Sequence, residues 1–180
     1  MRDVVVPTPD ERDCWLALDD AKLLRDCREE RRAAGGPGGQ KRNRTASTVR
    51  LTHGPTNLVA NAGEDRSLRA NRIHAVRRLR HKLAASVRRE LDAMAFEPPA
   101  WWREYAVGGS LRMNPANPLH PVAAAMVLDI LAASAADPAA AAVHLGVSPR
   151  SLVRFLREPG ELWRAANDLR VRWSLEPLHA

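Results

Sequence analysis

The sequence predicts an α+β domain, a small sheet packed on one long helix, followed by a small all-helical C-terminal domain. Three observations predict it. Residues 48–63, TVRLTHGPTNLVANAG, alternate apolar and polar side chains about a turn, the period of two that marks a half-buried hairpin. Residues 66–91 place Ile73, Val76, Leu79, Leu83, Val87 and Leu91 on one helical stripe. Beyond about His120 the chain is rich in alanine and keeps a helical period.

Taken in order, residues 10–26, DERDCWLALDDAKLLRD, repeat Trp15, Leu16, Leu23 and Leu24 at helical spacing and predict a short acidic helix or helix pair. A glycine-rich stretch follows. The hairpin comes next: Val49 and Leu51 face inward, Gly54 to Asn57 turn the chain with Pro55 presetting the bend, and Leu58 and Ala60 resume the pattern. On the long helix Arg69, Arg72, Arg77, Arg78, Arg80, Lys82, Arg88 and Arg89 occupy the faces outside the stripe and are expected to point to solvent. The proline-rich residues 96–121 cannot form a continuous helix and read as a linker that partly packs through Trp101, Trp102 and Tyr105. The domains expected are thus residues 1–95, a linker over 96–119, and a helical domain over 120–180. Within the last, PAAAAVHLGVSPRSLVRFLR (138–157) fits a helix-turn-helix: Gly146 in the turn, Ser148 and Pro149 opening the second helix, and Ala141, Ala142, Leu145, Val147, Leu152 and Phe155 inside. A plain helical bundle has the same spacing, and the spacing leaves both open.

The net charge is +7, but it is concentrated. Residues 28–89 carry sixteen Lys and Arg against four Asp and Glu, while both flanks are mildly acidic. A single basic block of this kind points to a polyanionic partner, nucleic acid before an acidic membrane surface, because the block lacks a Trp- or Phe-rich amphipathic anchor. The N-terminus has only a three-residue apolar run and no signal-peptide pattern, and the apolar run from Val122 to Ala136 is broken by Asp129 and too short to span a bilayer. A cytoplasmic protein without a membrane partner is the expectation. Cys14 and Cys27 have no CxxC or paired histidine spacing, and the histidines form no HxxxH or HExxH pattern, so neither a metal nor another cofactor is expected.

The glycine stretch AAGGPGGQKRNRTAS (33–47) narrows the function. It has no Gly-Lys-Ser/Thr and no preceding apolar strand, so it is not a phosphate loop, and it lacks a dinucleotide fingerprint. It is either a spacer or an exposed loop whose backbone N–H groups are aimed at a substrate, a role in which a Cβ would block close approach.

GGPGGQ, followed by KRNRTASTVRLTHGPTNLV and then EDRS and Asn71-Arg72, resembles the catalytic domain of peptide-chain release factors and their ribosome-rescue relatives over roughly residues 31–83. The order of the segments makes the resemblance specific. Departures from the family pattern are Arg42 for valine, Arg44 for lysine, Asn57 for a turn glycine, Asp65 for glutamate and Leu68 for glutamine. The resemblance implies a loop that enters the ribosomal peptidyl-transferase centre and hydrolyses the ester between nascent peptide and P-site transfer RNA. Gly38 and Gly39 would supply the backbone conformation. The Gln40 N–H would stabilise the oxyanion or leaving hydroxyl, and its side chain would place the water. Lys41, Arg42, Arg44, Arg50, Arg66, Arg69, Arg72, Arg77, Arg78 and Lys82 would hold ribosomal RNA phosphates. Family members are methylated at this glutamine, which makes a glutamine methyltransferase acting on Gln40 a candidate partner.

Codon-reading release factors carry additional domains, including a decoding domain with a tripeptide, for which the 180 residues hold no candidate. The expectation is therefore codon-independent release on stalled ribosomes or large subunits. The small bacterial rescue hydrolases end in a basic tail, whereas WSLEPLHA here is nearly neutral. A helix-turn-helix nucleic-acid-binding regulator, with the release-factor-like part used for docking, is the alternative.

Overall fold

The computed structural model describes residues 7–32 and 47–179. Two units divide between Ser86 and Val87, rather than at residue 95.

The first unit opens with α1 (Pro9–Ala17) and α2 (Asp20–Arg25). Thr8 caps α1 reciprocally: its hydroxyl accepts from the Glu11 N–H at 3.2 Å, and the Glu11 carboxylate accepts from the Thr8 N–H at 2.8 Å. Asp19 caps α2 through the Lys22 N–H at 2.8 Å. The chain then forms β1 (Cys27–Arg32), β2 (Thr48–His53) and β3 (Val59–Ala62), antiparallel in that order. The register runs from Cys27 opposite His53 to Arg32 opposite Thr48, and from Val49 opposite Ala62 to Thr52 opposite Val59. Strand β1, CREERR, has no apolar alternation and the sequence reading does not anticipate it. It lies at the sheet edge, where its side chains pair along the strand, Arg28 and Arg32 with Glu30 and Arg31 with Glu29. Charge on an edge strand discourages pairing with other chains.

Helix α3 (Leu68–Ser86) packs on β2 and β3. Ala75, Val76, Leu79, Leu83 and Ala84 are buried on its side of the contact, and Val49, Leu51, Ala60 and Ala62 on the sheet side. Two expectations for this helix change. Ile73 is 48% exposed, so the buried stripe begins one turn later. Arg80, expected to face solvent, is only 9% exposed. The reason is at the end of α1, whose last turn has no basic residue and whose final carbonyls lack intrahelical partners. Arg80 supplies both: it donates to the carbonyls of Leu16 (3.1 Å) and Leu18 (2.6 Å) and pairs with Asp20 at 2.9 Å. The helix also stops at Ser86, short of the Leu91 expected from the stripe.

In the second unit the backbone N–H of Arg89 donates to the buried carboxylate of Asp129 at 3.0 Å, and the Arg88 guanidinium lies 3.3 Å from the same oxygen. That amide is therefore spent on Asp129 rather than on extending a helix. Residues 96–119, expected as a linker, belong to this unit. Trp102 is 1% exposed and donates its indole N–H to the Leu145 carbonyl at 2.8 Å. Tyr105 accepts from Asn117 at 3.0 Å. A ribbon of β4 (Ala106–Val107) and β5 (Ser110–Leu111) turns at Gly108 and Gly109, both at positive φ, as a two-residue hairpin turn requires. The unit is therefore not purely helical. Its helices are α4 (His120–Ala133), α5 (Pro138–Leu145), α6 (Pro149–Arg157) and α7 (Gly160–Arg172). Gly146 takes the left-handed conformation, φ 67°, after α5. The Ser148 hydroxyl caps α6 by accepting from the Ser151 N–H at 3.3 Å, and the Ser148 N–H donates to the Gly109 carbonyl at 2.7 Å. Ala141, Ala142, Leu145, Val147, Leu152 and Phe155 are all buried.

Replacing Arg80 with methionine keeps the apolar stem and removes the guanidinium, leaving two carbonyls at the end of α1 without donors. The expected loss is about 2–4 kcal/mol of unfolding free energy by urea titration. Arg69→Met, at an exposed position, is expected to stay within about 0.5 kcal/mol of the wild type.

Candidate functional site

Gly38, Gly39, Gln40, Lys41, Arg42 and Arg44 lie outside the described residues. What the structure defines is the frame that flanks them: β1 ends at Arg32 opposite Thr48, where β2 begins, and Ser47 just before it is buried.

Asn71 holds that frame from α3. Its amide nitrogen donates to the Ser47 carbonyl at 2.7 Å and to the Asp65 carbonyl at 2.8 Å, while its oxygen accepts from the Asp65 N–H at 2.9 Å. The side chain is fully buried, and its bond to the Ser47 carbonyl is buried while those to Asp65 are partly so, so leaving the amide unpaired would be costly. Asp65 in turn accepts from the Ser67 N–H at 2.7 Å, and Ser67 accepts from the Ala70 N–H at 3.3 Å, which starts α3. In the sequence Asn71 stands only as part of the Asn71-Arg72 motif, with no role of its own. The signal available was an amide among arginines at a helix start.

The remaining predicted cations divide into two groups. Arg50 is half-buried and 4.0 Å from Glu30, and Arg72 pairs with Glu29 at 2.8 Å. Arg78 pairs with Glu64 at 2.9 Å and donates to the Asn61 carbonyl at 2.5 Å. Lys82 donates to the Val59 carbonyl at 2.5 Å. Arg78 and Lys82 thus tie α3 to the last strand of the sheet. Arg66, Arg69 and Arg77 form no ion pair or hydrogen bond among the described residues, and Arg66 and Arg69 are exposed.

At the other end of β2, His53 is buried. Its Nδ1 lies 2.8 Å from the Thr56 hydroxyl, and its ring meets Trp15 edge to face at 4.7 Å. Burial holds its pKa below the ordinary histidine value, with a smaller opposing effect from Asp26. The Thr56 hydroxyl also accepts from the Leu58 N–H at 3.3 Å, and Asn57 between them sits at φ 55°. The left-handed conformation is thus taken by Asn57, a residue that tolerates it better than most. Burial pushes the Cys27 thiol up to about 11, which keeps it a thiol rather than a nucleophilic thiolate near neutral pH. Among the described residues no cluster of His, Cys, Asp or Glu could hold a metal, and no helix is long and apolar enough to cross a membrane.

The second unit has a cavity of about 350 Å³ lined by Leu111, Met113, His120, Arg154, Phe155 and Glu158 among others. The Arg154 guanidinium is held by the Leu111 carbonyl at 3.2 Å and the Ser151 hydroxyl at 3.1 Å. His120 stacks on Phe155 at 4.6 Å, and burial pushes its pKa down to about 4.

Residues 23–99 match the family model of the RF-1 domain. Over 80 residues the chain is 40% identical to peptide chain release factor 1 of Symbiobacterium thermophilum, covering 44% of this chain and 21% of that protein. Over 64 residues it is 45% identical to peptide chain release factor 1 of Leifsonia xyli subsp. xyli, covering 36% of this chain and 18% of that protein. Over 81 residues it is 41% identical to peptide chain release factor 2 of Mycobacterium avium, covering 43% of this chain and 22% of that protein. The chain therefore spans only about a fifth of the length of these relatives. No solved structure matches.

The His120 shift sets a pH dependence. An imidazole whose folded pKa is depressed contributes fully above its unfolded value, near 6.5, and that stability is lost as pH falls toward the folded value of about 4. Between pH 7 and pH 5 the wild type is expected to lose about 2 kcal/mol more than His120→Gln, measured by urea titration at both pH values.

Proposed function

We infer, from a segment of residues 23–99 that belongs to the peptide chain release factor family, that this protein releases nascent peptide by hydrolysing peptidyl-tRNA on the ribosome, and that it does so without reading a stop codon. The observation that carries the reading is that the matched segment contains Gly38-Gly39-Gln40 in order with the Val49–His53 strand and the Asn71-Arg72 pair.

In the reaction a water oxygen attacks the ester carbonyl carbon, the carbonyl oxygen takes up negative charge, and collapse expels the 3′ hydroxyl of the transfer RNA with a proton. The Gln40 N–H stabilises the developing charge and its side chain places the water. Gly38 and Gly39 give the backbone the close approach this needs. The rate gain comes from positioning and fixed dipoles rather than from an acid–base pair.

Lys41, Arg42 and Arg44 contact ribosomal RNA beside the ester, Arg69 and Arg77 meet RNA phosphates from α3, and Arg66 does so from the turn just before it. Arg50, Arg72, Arg78 and Lys82 mainly hold the protein's own frame, since each already has an internal partner. A glutamine methyltransferase acts on Gln40. The second unit serves as the recognition module for the stalled complex: α5 and α6 form a helix-turn-helix-like pair, and Arg150, Arg154 and Arg157 are exposed along α6, a spacing suited to phosphates.

Release of labelled peptide from ribosomes with an empty A site, and from large subunits carrying peptidyl-tRNA, tests the reading. The wild type is expected to release on at least one substrate. Gln40→Ala and Gly39→Ala are each expected to lose about 100- to 1,000-fold in rate with an unchanged melting temperature. Absence of release by the wild type, or full activity in both variants, would remove the hydrolase.

Ribosome binding across a salt series tests the RNA contacts. The triple variant Arg66→Gln, Arg69→Gln, Arg77→Gln is expected to flatten the slope of log affinity against log salt by about 0.7 to 0.9 per lost phosphate contact. Arg78→Gln and Lys82→Gln are expected to lower melting temperature more than they change that slope. An unchanged slope in the triple variant would make those arginines a solvated surface.

A further inference from the structure

We propose that Asn71 is a positioning residue for hydrolysis: it fixes the chain at Ser47, on the C-terminal flank of the Gly-Gly-Gln segment, to the start of α3, and the chemical step depends on that anchored flank. The proposal rests on the release-factor reading above and extends it to a residue that contacts neither substrate nor RNA.

The geometry assigns this role to Asn71 for three reasons. First, its amide is saturated by backbone groups only, the Ser47 carbonyl at 2.7 Å and both polar groups of Asp65 at 2.8 and 2.9 Å. Such bonds fix main-chain position irrespective of the side chains at 47 and 65. Second, Ser47 precedes the first residue of β2 and is the described residue nearest Gln40 on its C-terminal side. The ladder itself ends with Thr48 opposite Arg32, so position 47 depends on a tether other than strand pairing. Third, Asp65 precedes Arg66, an exposed cation that forms no ion pair or hydrogen bond among the described residues, so the same amide joins a position proposed to meet RNA to the flank of the proposed catalytic segment. The next residue reaches the other flank: Arg72 pairs with Glu29 on β1 at 2.8 Å. That pair is half-exposed, with Arg72 at 52%, and contributes less.

Asparagine suits the task better than its neighbours in size. Aspartate would set a carboxylate oxygen against two carbonyl oxygens, and leucine would remove the partner of three backbone groups, of which the Ser47 carbonyl is bonded in a buried setting. Either change would free Ser47 from α3. Loss of this anchor is expected to cost on the order of 10- to 100-fold in the chemical step, the scale set by misplacement of reacting groups by about 1 Å.

The test separates positioning from mere stability. Asn71→Ala is compared with Leu83→Ala, a core truncation near the far end of the same helix, both assayed well below the lower melting temperature. Peptide release is measured as a function of protein concentration on one ribosomal substrate. Asn71→Ala is expected to lower maximal release about tenfold or more with little change in half-saturating concentration, whereas Leu83→Ala keeps maximal release near the wild-type value. Arg72→Gln is expected to show a smaller loss of the same kind. Where Asn71→Ala melts below the assay temperature, Asn71→Gln takes its place, since it keeps the amide but shifts it by one methylene. Wild-type maximal release in the Asn71 variant, or an equal fall in Leu83→Ala, would overturn the positioning role alone. A wild type that releases nothing would instead overturn the hydrolase reading, and this role with it.

Discussion

The first unit depends on one contact, the packing of α3 against β2 and β3. Val76, Leu79 and Leu83 are removed from water on one side and Val49, Leu51 and Ala60 on the other, and burial of side chains this size is the dominant favourable contribution available to a domain so small. The helix then uses polar side chains to fix what the apolar stripe only brings near. Arg80 closes the end of α1, Lys82 and Arg78 reach carbonyls of the last strand, and Asn71 ties down Ser47. A helix with so many cations is in this way partly a scaffold. Several of its charges are directed inward to backbone carbonyls, whereas Arg69 and Arg77 form no ion pair or hydrogen bond among the described residues.

How much of this was legible in the sequence follows from the kind of interaction involved. The β2–β3 hairpin was readable because period-two alternation and a Gly-Pro turn are local signals; Val49, Leu51 and Ala60 are buried as the alternation picks out, whereas Leu58 is only half-buried and the buried His53 and Thr56 are not among its picks. The cap at Ser148 and the turn at Gly146 depend on neighbours within a few residues and were equally open to reading. Strand β1 was not, because CREERR lacks an apolar face. It is a strand through its pairing with β2, a tertiary effect that overrides composition. Arg80 was misplaced for a related reason: helical periodicity gives the angle of a side chain but not the unsatisfied carbonyls of a helix more than sixty residues away. Asn71 had a motif position and no legible role, since its partners at Ser47 and Asp65 come together only in the fold.

The second unit shows the same principle from the other side. Proline density suggested a linker over residues 96–119, yet the prolines there coexist with Trp102, buried with its indole N–H on the Leu145 carbonyl, and with a ribbon whose Gly109 carbonyl accepts from Ser148. Breakers of regular structure are not breakers of packing. The cavity beside Phe155, with Arg154 pinned by Leu111 and Ser151, forms around this irregular segment, and the exposed arginines of α6 lie next to it in the chain. Asp129, which interrupts the apolar run of α4, is the carboxylate that receives the Arg89 amide.

The central proposal is that Gln40 acts on the ester of P-site peptidyl-tRNA. The most direct measurement is a cryo-electron microscopy structure of the full chain on a large subunit carrying peptidyl-tRNA with an amide in place of the ester. The account predicts the Gln40 backbone N–H within hydrogen-bond distance of that linkage, with Arg66 and Arg69 against ribosomal RNA phosphates. A first unit bound to the particle with residues 38–40 away from the transfer RNA terminus would contradict it.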